Sequence, residues 1–280
     1  MPSIIDDILG GNHLLDEDRI WELSGLLQDR YRGEKNVIES SADRLIFVGD
    51  LHGELEYALR VKDLMNSYGG HLFVFLGDYG DRGPKQTQTF NLVSALALKH
   101  PKDVLMLRGN HETASVAARY GFYHQIVRDY SQSAFKHYTS AFSVLPMAVR
   151  TDKGVFGCHG GIPEGVSSVE EIDACRRYGE ELEDDVLLEL VWNDPREGDF
   201  RFRHSPRGGG SKLFGGKAFS QFCRDLSVQL MVRAHEVVSE GVRTLFDGQL
   251  FSVFTSSYGG RVKPKVLRVG PTLETESIPL

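Results

Sequence analysis

Three short apolar runs, each followed within two residues by a glycine and a cluster of polar side chains, constrain the fold of this chain more than any other feature. The runs span residues 45–48, 71–76 and 104–107, and the clusters behind them include Asp50, Asp78 and Asn110. These polar residues are spaced by 28 and then 32 positions, which suits successive βαβ units. In open α/β sheets, ligands bind beyond the carboxyl ends of the strands. The sequence therefore predicts an α/β fold in which the three clusters lie close together.

The segments between and around these runs have apolar residues at helical spacing. Helices are predicted over residues 14–31, 54–67, 87–99 and 113–143. After residue 154 the pattern changes to short β-rich runs, predicted as strands 155–156, 228–232 and 250–254, with a hairpin that turns at Asp247-Gly248. The second half is therefore predicted to be mostly strands and loops.

Composition limits the remaining possibilities. No linker, repeat or low-complexity tract divides the 280 residues, which predicts one domain over 1–280 with the motifs at about 40–260. A net charge of −7 argues against nucleic-acid or anionic-membrane partners. The three cysteines, Cys158, Cys175 and Cys223, lack the paired spacing of a disulfide framework, which indicates reduced thiols. The amino-terminal segment is acidic, and no apolar run reaches about 20 residues. These features predict a soluble cytoplasmic protein.

Aspartate, asparagine and histidine side chains at the predicted strand ends form a possible ligand set for two divalent ions. A two-metal hydrolytic site needs oxygen and nitrogen ligands, one bridging carboxylate and open positions for water and substrate. The candidates are Asp50, His52, Asp78, Asn110, His159 and His235. A single histidine is more often a core or surface residue than a ligand, but five clusters in order after predicted strands favour a metal site.

These clusters resemble the motifs of a known family. They read Asp50-Leu51-His52, Gly77-Asp78-Tyr79-Gly80-Asp81-Arg82-Gly83, Gly109-Asn110-His111-Glu112, His159-Gly160-Gly161 and Arg233-Ala234-His235. They are similar to those of the phosphoprotein phosphatase family, metal-dependent serine/threonine phosphatases of the calcineurin-like metallophosphoesterase superfamily, including its archaeal and bacterial members. The resemblance implies a central β-sandwich of two mixed sheets flanked by helices.

The resemblance also implies a role for each matched residue. Asp50, His52 and Asp78 would hold one metal ion, and Asp78 again, with Asn110, His159 and His235, would hold the second. Mn²⁺ is expected to support activity in vitro, with Fe or Zn as other possible ions. A hydroxide that bridges the two ions would attack phosphorus directly.

Substrate binding and proton transfer are assigned by the same resemblance. Arg82 and Arg207 would grip the phosphate, because a guanidinium can pair with two phosphate oxygens, and Asn110 and Tyr258 would contact the substrate. His111 would protonate the departing serine or threonine oxygen, with Asp81 orienting its ring.

Several of these residues have simpler alternative interpretations. Arg82 could pair with a carboxylate, and Asp81 could be a turn residue with no link to His111. Asp194-Pro195 is predicted to be a turn without a chemical role, and Trp192 a core or rim residue.

The chain departs from the family pattern near its last motif and at residue 80. Gly259 occupies the position of a family cysteine, so toxins that react with that thiol should not be captured covalently. No autoinhibitory or calmodulin-binding extension is expected. Gly80 stands where relatives carry a β-branched residue, and Gly80→Val is predicted to be tolerated.

The sequence thus predicts a serine/threonine protein phosphatase with phosphoprotein substrates and possible regulatory subunits, without nucleic-acid or membrane partners. Two alternatives remain open. One is a hydrolase of dinucleoside polyphosphates or small phosphoesters, and the other is a noncatalytic scaffold with the same fold.

Overall fold

The computed structural model describes residues 3–280. The predictions of a single domain over 1–280 and of an acidic amino-terminal segment include Met1 and Pro2, which lie outside the described residues. The helices are α1 (Ile4–Leu9), α2 (Glu17–Tyr31), α3 (Leu55–Ser67), α4 (Gln86–Lys99), α5 (Ala114–Tyr120), α6 (Phe122–Asp129), α7 (Gln132–Phe142), α8 (Val169–Asp173), α9 (Asp185–Trp192) and α10 (Gly216–Asp225). A short 3₁₀ turn spans Phe246–Gly248.

The strands form two larger sheets and one small sheet. They are β1 (Val37–Ser40), β2 (Leu45–Val48), β3 (Leu72–Phe75), β4 (Val104–Met106), β5 (Ala148–Thr151), β6 (Val155–Cys158), β7 (Asp194–Pro195), β8 (Phe202–His204), β9 (Lys212–Phe214), β10 (Leu230–Arg233), β11 (Val242–Leu245), β12 (Leu250–Val253), β13 (Lys265–Val269) and β14 (Thr275–Pro279). The sheet orders are β14-β13-β2-β3-β4, β1-β5-β6-β10-β12-β11 and β7-β9-β8.

The two larger sheets are mixed and pack face to face. Parallel pairing of β2 with β3 and of β3 with β4 is combined with antiparallel pairing of β13 with β2. The sheets contact each other where Gly157 on β6 faces Phe47 on β2, because a Cβ at Gly157 would lie 2.7 Å from the Phe47 ring. The predicted β-sandwich of two mixed sheets is confirmed.

Helices cover both outer faces of this sandwich. Buried residues of α1 to α4, such as Leu27 and Phe90, join the core that includes Phe47 and Val232 from the two sheets. On the other side, buried residues of α8 to α10 pack with Phe156 of β6 and Met231 of β10. The sandwich is therefore enclosed between helical layers, which confirms the α/β class and the flanking helices.

The strand directions bring the polar loops to one region. In-register parallel pairing places Leu45 beside Leu72 and Phe73 beside Val104, so β2, β3 and β4 end at the same edge of their sheet. In the second sheet β6 and β10 are also parallel, with Phe156 beside Met231. The loops after these five strands carry the predicted ligands.

Some predicted elements differ from the observed ones. The predicted helix over 113–143 is three helices, broken at Gly121, which has a positive φ of 121°, and at Ser131, whose hydroxyl caps α7. The second half is mostly strands and loops, as predicted, but it also contains three short helices, α8, α9 and α10, that the sequence pattern did not predict. The predicted hairpin is confirmed, since β11 pairs antiparallel with β12.

The structure also addresses the cysteines and membrane insertion. Cys158, Cys175 and Cys223 are free thiols, and Cys158 is buried. Within residues 3–280 no helix is both long and apolar enough to cross a membrane.

Candidate active site

The loops that follow the strands hold their polar residues in a strained backbone conformation. His52, Asp78, Asp81, Arg82 and His235 all have φ between 44° and 68°, the left-handed region that residues other than glycine seldom adopt. Residues in sparsely populated conformations cluster at functional sites, where the surrounding structure enforces them. The shared strain therefore marks these loops as a candidate site before any side chain is considered.

Close backbone contact between two of these loops explains their glycines. A Cβ at Gly77 would collide with the backbone of Gly109, and a Cβ at Gly109 would collide with the carboxylate of Asp78. The turns after β3 and β4 can therefore approach each other only without side chains at these positions. This approach brings Asp78 beside Asn110 and His111, and the Asp78 carboxylate accepts the backbone N–H of His111 at 3.0 Å.

Four ligand atoms converge on one side of Asp78. His159 Nε2 lies 2.9 Å from Asn110 Oδ1, 3.2 Å from His235 Nδ1 and 3.3 Å from Asp78 Oδ1. His159 Nδ1 lies 3.0 Å from the Leu76 carbonyl and can donate its proton there, which leaves the Nε2 lone pair facing the other acceptors. Hydrogen bonds of this kind orient histidine ligands in metal sites.

A second group of ligand atoms lies on the other side of Asp78. His52 Nε2 is 3.5 Å from Asp50 Oδ2 and 3.8 Å from Asp78 Oδ2, and His52 Nδ1 lies 3.0 Å from the Gly80 carbonyl. His111 Nε2 is also 3.8 Å from Asp78 Oδ2. Thus Asp78 belongs to two groups that could hold a metal, one with His159 and His235 and one with His52 and His111.

Burial and mutual proximity shift the pKa values of these groups. Burial raises the pKa of Asp50 to about 6, with a further contribution from Asp78, and burial lowers the pKa of His52 to about 3. Burial also acts to raise the pKa of Asp78, but the surrounding histidines, His159 first, hold it well below its usual range. Burial and the neighbouring His159 lower the pKa of His235. A neutral histidine beside an ionised carboxylate is the state that binds a metal.

The residues present fit a divalent metal ion. Asp50 Oδ2, which lies 3.5 Å from His52 Nε2, is buried and lacks a hydrogen-bond partner among residues 3–280, and buried polar atoms are normally paired. Carboxylate, amide and imidazole donors suit divalent transition metals. Divalent metal binding therefore accounts for a set of buried donors that the protein alone leaves partly unpaired.

His111 is held from behind by Asp81. The His111 Nδ1 atom lies 2.6 Å from Asp81 Oδ2, and the other Asp81 oxygen accepts the backbone N–H of Phe122 at 2.8 Å. Burial opposes protonation of His111, but the carboxylates of Asp78 and Asp81 outweigh it and raise its pKa. The structure thus links Asp81 to His111 rather than leaving it an isolated turn residue, and His111 Nε2 faces the metal-ligand groups.

Arg82 lies between two aromatic rings at the surface. Its guanidinium carbon is 4.6 Å from the centroid of Tyr120 and 5.6 Å from that of Tyr258. No carboxylate in the described part of the chain is at ion-pair distance from Arg82, so the carboxylate-paired alternative is not observed. Aromatic faces hold a guanidinium in place while leaving its N–H groups free for an anion.

Arg207 lines the same cavity as Arg82. Its Nε donates to Asp194 Oδ2 at 2.6 Å, and Asp194 Oδ1 accepts from Arg233 Nη2 at 2.9 Å. Asp194 and Pro195 form strand β7, so their prediction as a turn is wrong. The buried Asp194 carboxylate fixes Arg207. Trp192 packs edge-on against His235 with ring centroids 5.4 Å apart, as a rim residue should.

A cavity of about 160 Å³ lies at the centre of this arrangement. All the predicted site residues line it except His159 and Asp81, which lie behind the lining side chains. Tyr120, Trp192, Val237 and Phe254 complete its wall. The structure therefore brings the predicted residues of the five motifs and Tyr258 together around one opening, and their individual roles remain predictions.

Glu112, which was not assigned a role from the sequence, connects the turns that follow β3 and β4. Its buried carboxylate accepts the backbone N–H groups of Asp78, Tyr79 and Gly109 at 2.8–3.0 Å. Burial, followed by the charge of Asp78, raises the pKa of Glu112 to about 7. Its position directly after His111 was the only sequence signal for this role. Glu112 positions Asp78, the residue common to the two groups that could hold a metal, and does not line the cavity itself.

We expect Glu112→Gln to destabilise the protein by about 1–3 kcal/mol, because one amide oxygen cannot accept the three N–H groups and the amide N–H₂ would face donors. The measurement is the free energy of unfolding in urea, together with metal content. Glu56→Gln, an exposed change on α3, is the matched control. Equal stability of both variants would show that Glu112 does not hold the turns.

The packing around Gly80 contradicts the prediction that Gly80→Val is tolerated. A Cβ there would lie 2.7 Å from Cδ2 of Phe122. The Phe122 ring is buried and packs edge-on against Tyr138, with centroids 5.2 Å apart, so it has little room to move. The predicted tolerance of Gly80→Val is therefore wrong in this packing, because Phe122 fills the space that a β-branched side chain would need.

We expect Gly80→Val to lower the free energy of unfolding by about 1–3 kcal/mol, the usual effect of overpacking a core. Activity should fall as well, because displacement of Phe122 would disturb its bond to Asp81. Urea unfolding of Gly80→Val and Gly33→Val compares the same change at a packed and at an open position. A Gly80→Val variant as stable and active as the Gly33→Val control would restore the sequence-based prediction.

Comparisons with known proteins agree with this geometry. The family model described as calcineurin-like phosphoesterase matches residues 43–239. The serine/threonine-protein phosphatase 4 catalytic subunit of Kluyveromyces lactis is 34% identical over 257 residues, which cover 91% of this chain and 82% of that protein. The protein of the same name from Saccharomyces cerevisiae is 32% identical, again with coverage of 91% and 82%.

Solved structures show the same fold. A serine/threonine phosphatase from Saccharomyces cerevisiae superposes with a TM-score of 0.85 at 24% identity, covering 94% of this chain and 90% of that one. A cold-active protein-tyrosine phosphatase of a Shewanella species gives a TM-score of 0.63 at 15% identity, with coverage of 89% and 84%. The chain belongs to the calcineurin-like phosphoesterase family, and within it to the branch formed by the serine/threonine-protein phosphatases.

Proposed function

We propose that this chain is a metal-dependent phosphatase that hydrolyses phosphoserine and phosphothreonine monoesters in proteins. The observation that carries the proposal is the position of His111. Its Nδ1 is held by Asp81 at 2.6 Å, while its Nε2 faces Asp78, the carboxylate common to both ligand groups. A proton donor fixed beside a metal-ligand cluster suits hydrolysis of a phosphate ester with a basic leaving oxygen. The names of the relatives at 32–34% identity support the same activity.

Two divalent ions are proposed for the site. Asp50, His52 and Asp78 would hold one ion, and Asp78, Asn110, His159 and His235 would hold the other. Bound there, the ions would lower the pKa of water and neutralise phosphate charge. Mn²⁺ is the proposed activating ion in vitro, and Fe and Zn are compatible with the same donors.

The arginines and polar side chains would hold the phosphate. Arg82 and Arg207 both line the cavity, and each guanidinium can pair with two phosphate oxygens. The Asn110 amide N–H₂ can donate to the phosphate, and the Tyr258 hydroxyl is a further donor. The positive charge of the two arginines offsets the acidic groups that line the same cavity.

Proton transfer is assigned to His111. As the water oxygen forms its bond to phosphorus, the bond from phosphorus to the serine or threonine oxygen breaks. That oxygen takes the proton from His111 Nε2, and the products are inorganic phosphate and the free hydroxyl residue. Asp81 keeps the imidazole oriented and stabilises its protonated form. No phosphoenzyme is expected.

The test is a substrate panel with defined metal. We expect protein loaded with Mn²⁺ to hydrolyse phosphoserine and phosphothreonine peptides, and chelation with EDTA to reduce the rate to background, because the site donors alone lack a strong electrophile. The panel includes a phosphotyrosine peptide, since the same fold occurs in a protein-tyrosine phosphatase. Hydrolysis of diadenosine tetraphosphate in preference to all peptides would favour the alternative, and no hydrolysis of any phosphoester would favour a scaffold.

The wider biological setting is proposed on the same basis. Phosphoproteins are the proposed substrates, regulatory subunits the proposed partners and the cytoplasm the proposed location. The organisation of residues 1–280 as one catalytic domain also remains a proposal. Limited proteolysis that released a stable fragment lacking part of the 40–260 core would contradict it.

A further inference from the structure

A second cavity lies directly beside the catalytic one. It has a volume of about 200 Å³ and is lined by His52, Glu54, Arg82, Ser256, Tyr258 and Arg261, together with two glycines. It shares His52, Arg82 and Tyr258 with the catalytic cavity. A group bound in this side cavity would therefore lie next to the phosphate held by Arg82.

Arg261 is the one arginine of the side cavity that does not also line the catalytic cavity. Its side chain is exposed, and no carboxylate among residues 3–280 is at ion-pair distance from it. By contrast, Lys263, two residues further on, pairs with Glu240 at 2.9 Å. On a chain with a net charge of −7, an unpaired guanidinium beside the active site is a local positive charge that can attract an anionic ligand.

The acidic residue of the side cavity is already engaged. Both carboxylate oxygens of Glu54 accept hydrogen bonds from Ser257, one from the backbone N–H at 2.7 Å and one from the hydroxyl at 3.0 Å. The Glu54 carboxylate weakens the attraction of the cavity for anions, but both of its oxygens are hydrogen-bonded to Ser257. The free hydrogen-bonding groups of the cavity are those of Arg82, Arg261 and the Tyr258 hydroxyl.

The loop that carries Arg261 is held in a defined shape. The Tyr258 N–H donates to the Ser256 hydroxyl at 3.1 Å, and the Val262 N–H donates to the Ser257 carbonyl at 2.9 Å. Gly259 and Gly260 lie between Tyr258 and Arg261 with positive φ and open space around them. Neither residue adds a side chain to the wall of the side cavity between Tyr258 and Arg261.

We propose that Arg261, with Arg82, forms a subsite for a second anionic group of the substrate, close to the phosphorylated residue. This inference rests on the proposed protein phosphatase function and deepens it by naming a substrate class. The preferred substrates are phosphopeptides with an acidic side chain or a second phosphate next to the phosphoserine or phosphothreonine. Guanidinium groups bind carboxylate and phosphate in the same forked geometry.

The test compares matched phosphoserine peptides with the Mn²⁺-loaded protein. One peptide has neutral neighbours, one has glutamate on both sides, and one has a nonhydrolysable phosphonate analogue of phosphoserine as its neighbour. We expect kcat/KM to be about threefold higher for glutamate than for neutral neighbours, which is typical of an exposed ion pair, and higher still for the phosphonate. The two anionic peptides distinguish recognition of carboxylate from recognition of phosphate.

Substitution assigns the preference to Arg261. Arg261→Gln should remove the preference, Arg261→Glu should reverse it, and Lys263→Gln, which removes a paired charge outside the cavity, should keep it. Activity on para-nitrophenyl phosphate, which has no flanking groups, should be the same in all three variants and shows that they are folded. High salt should reduce the preference of the unmodified protein.

Two outcomes would overturn the inference in different ways. Equal kcat/KM for neutral and acidic peptides, or an unchanged preference in Arg261→Gln, would refute the subsite while leaving the phosphatase function intact. Hydrolysis of para-nitrophenyl phosphate without hydrolysis of any phosphopeptide would refute the proposed function and the subsite with it.

Discussion

His111→Asn should lower kcat for phosphoserine peptides by about 10²–10⁴-fold, the range that general acid–base groups contribute. His111 Nε2 faces the site while Asp81 holds Nδ1 at 2.6 Å, so the substitution removes a positioned proton donor. The measurement is the steady-state rate with peptide and with para-nitrophenyl phosphate. The decrease in rate should be much smaller with para-nitrophenyl phosphate, because its leaving oxygen is weakly basic and needs less protonation.

Metal content separates this role from the alternative that His111 is a ligand. His111 groups with His52 and Asp78 around a possible metal position, so its loss could in principle release an ion. We expect the His111→Asn variant to retain as much bound metal as the parent, measured by atomic spectroscopy after dialysis. His100→Asn, at an exposed position, is the control. Metal loss, or an equal rate loss with both substrates, would contradict the assignment of His111 as the acid.

Asp78→Asn should reduce activity by more than about 100-fold, the upper effect of losing a residue that hydrogen-bonds to a metal ligand, because Asp78 is proposed as a direct ligand of both ions. Asparagine keeps the oxygen that accepts the His111 N–H but removes the negative charge that the surrounding histidines stabilise. The measurements are kcat/KM and the number of metal ions bound per chain.

The control for this prediction removes the same charge elsewhere. Asp63→Asn changes an exposed residue on α3 and should leave both metal content and activity unchanged. A decrease of both metals in Asp78→Asn would support the bridging role. If one ion were lost and the other retained at full occupancy, Asp78 would belong to a single metal site.

Sequence patterns closely predicted the elements of the sheet that carries the first three motifs. Strand 45–48 coincides with β2, and the helix predicted over 54–67 matches α3 within one residue. These segments are strongly patterned: short apolar runs end at glycine, and helical runs end at glycine or before a new strand. The parallel pairing that brings Asp50, Asp78 and Asn110 to one edge followed from their spacing.

Residues that only position other site residues were not identified from local sequence patterns. Glu112 and Asp194 are buried carboxylates whose partners lie on other segments, so no local pattern reveals that they fix Asp78 and Arg207. Tyr120 was not among the predicted site residues, yet its ring lies 4.6 Å from the guanidinium carbon of Arg82. The helix break at Gly121 decides this, because it turns α5 away from α6 and leaves Tyr120 at the cavity.

The identity and order of the chemical groups were determined by the sequence alone. Strand-end motifs with strict backbone requirements, such as glycine next to aspartate or asparagine, specify which donors reach the site and in which sheet. Tertiary structure decided how these groups are used. It placed Phe122 against Gly80, freed Arg82 and Arg261 from carboxylates, and tied Arg207 to Asp194, because such contacts depend on packing between segments that are distant in the chain.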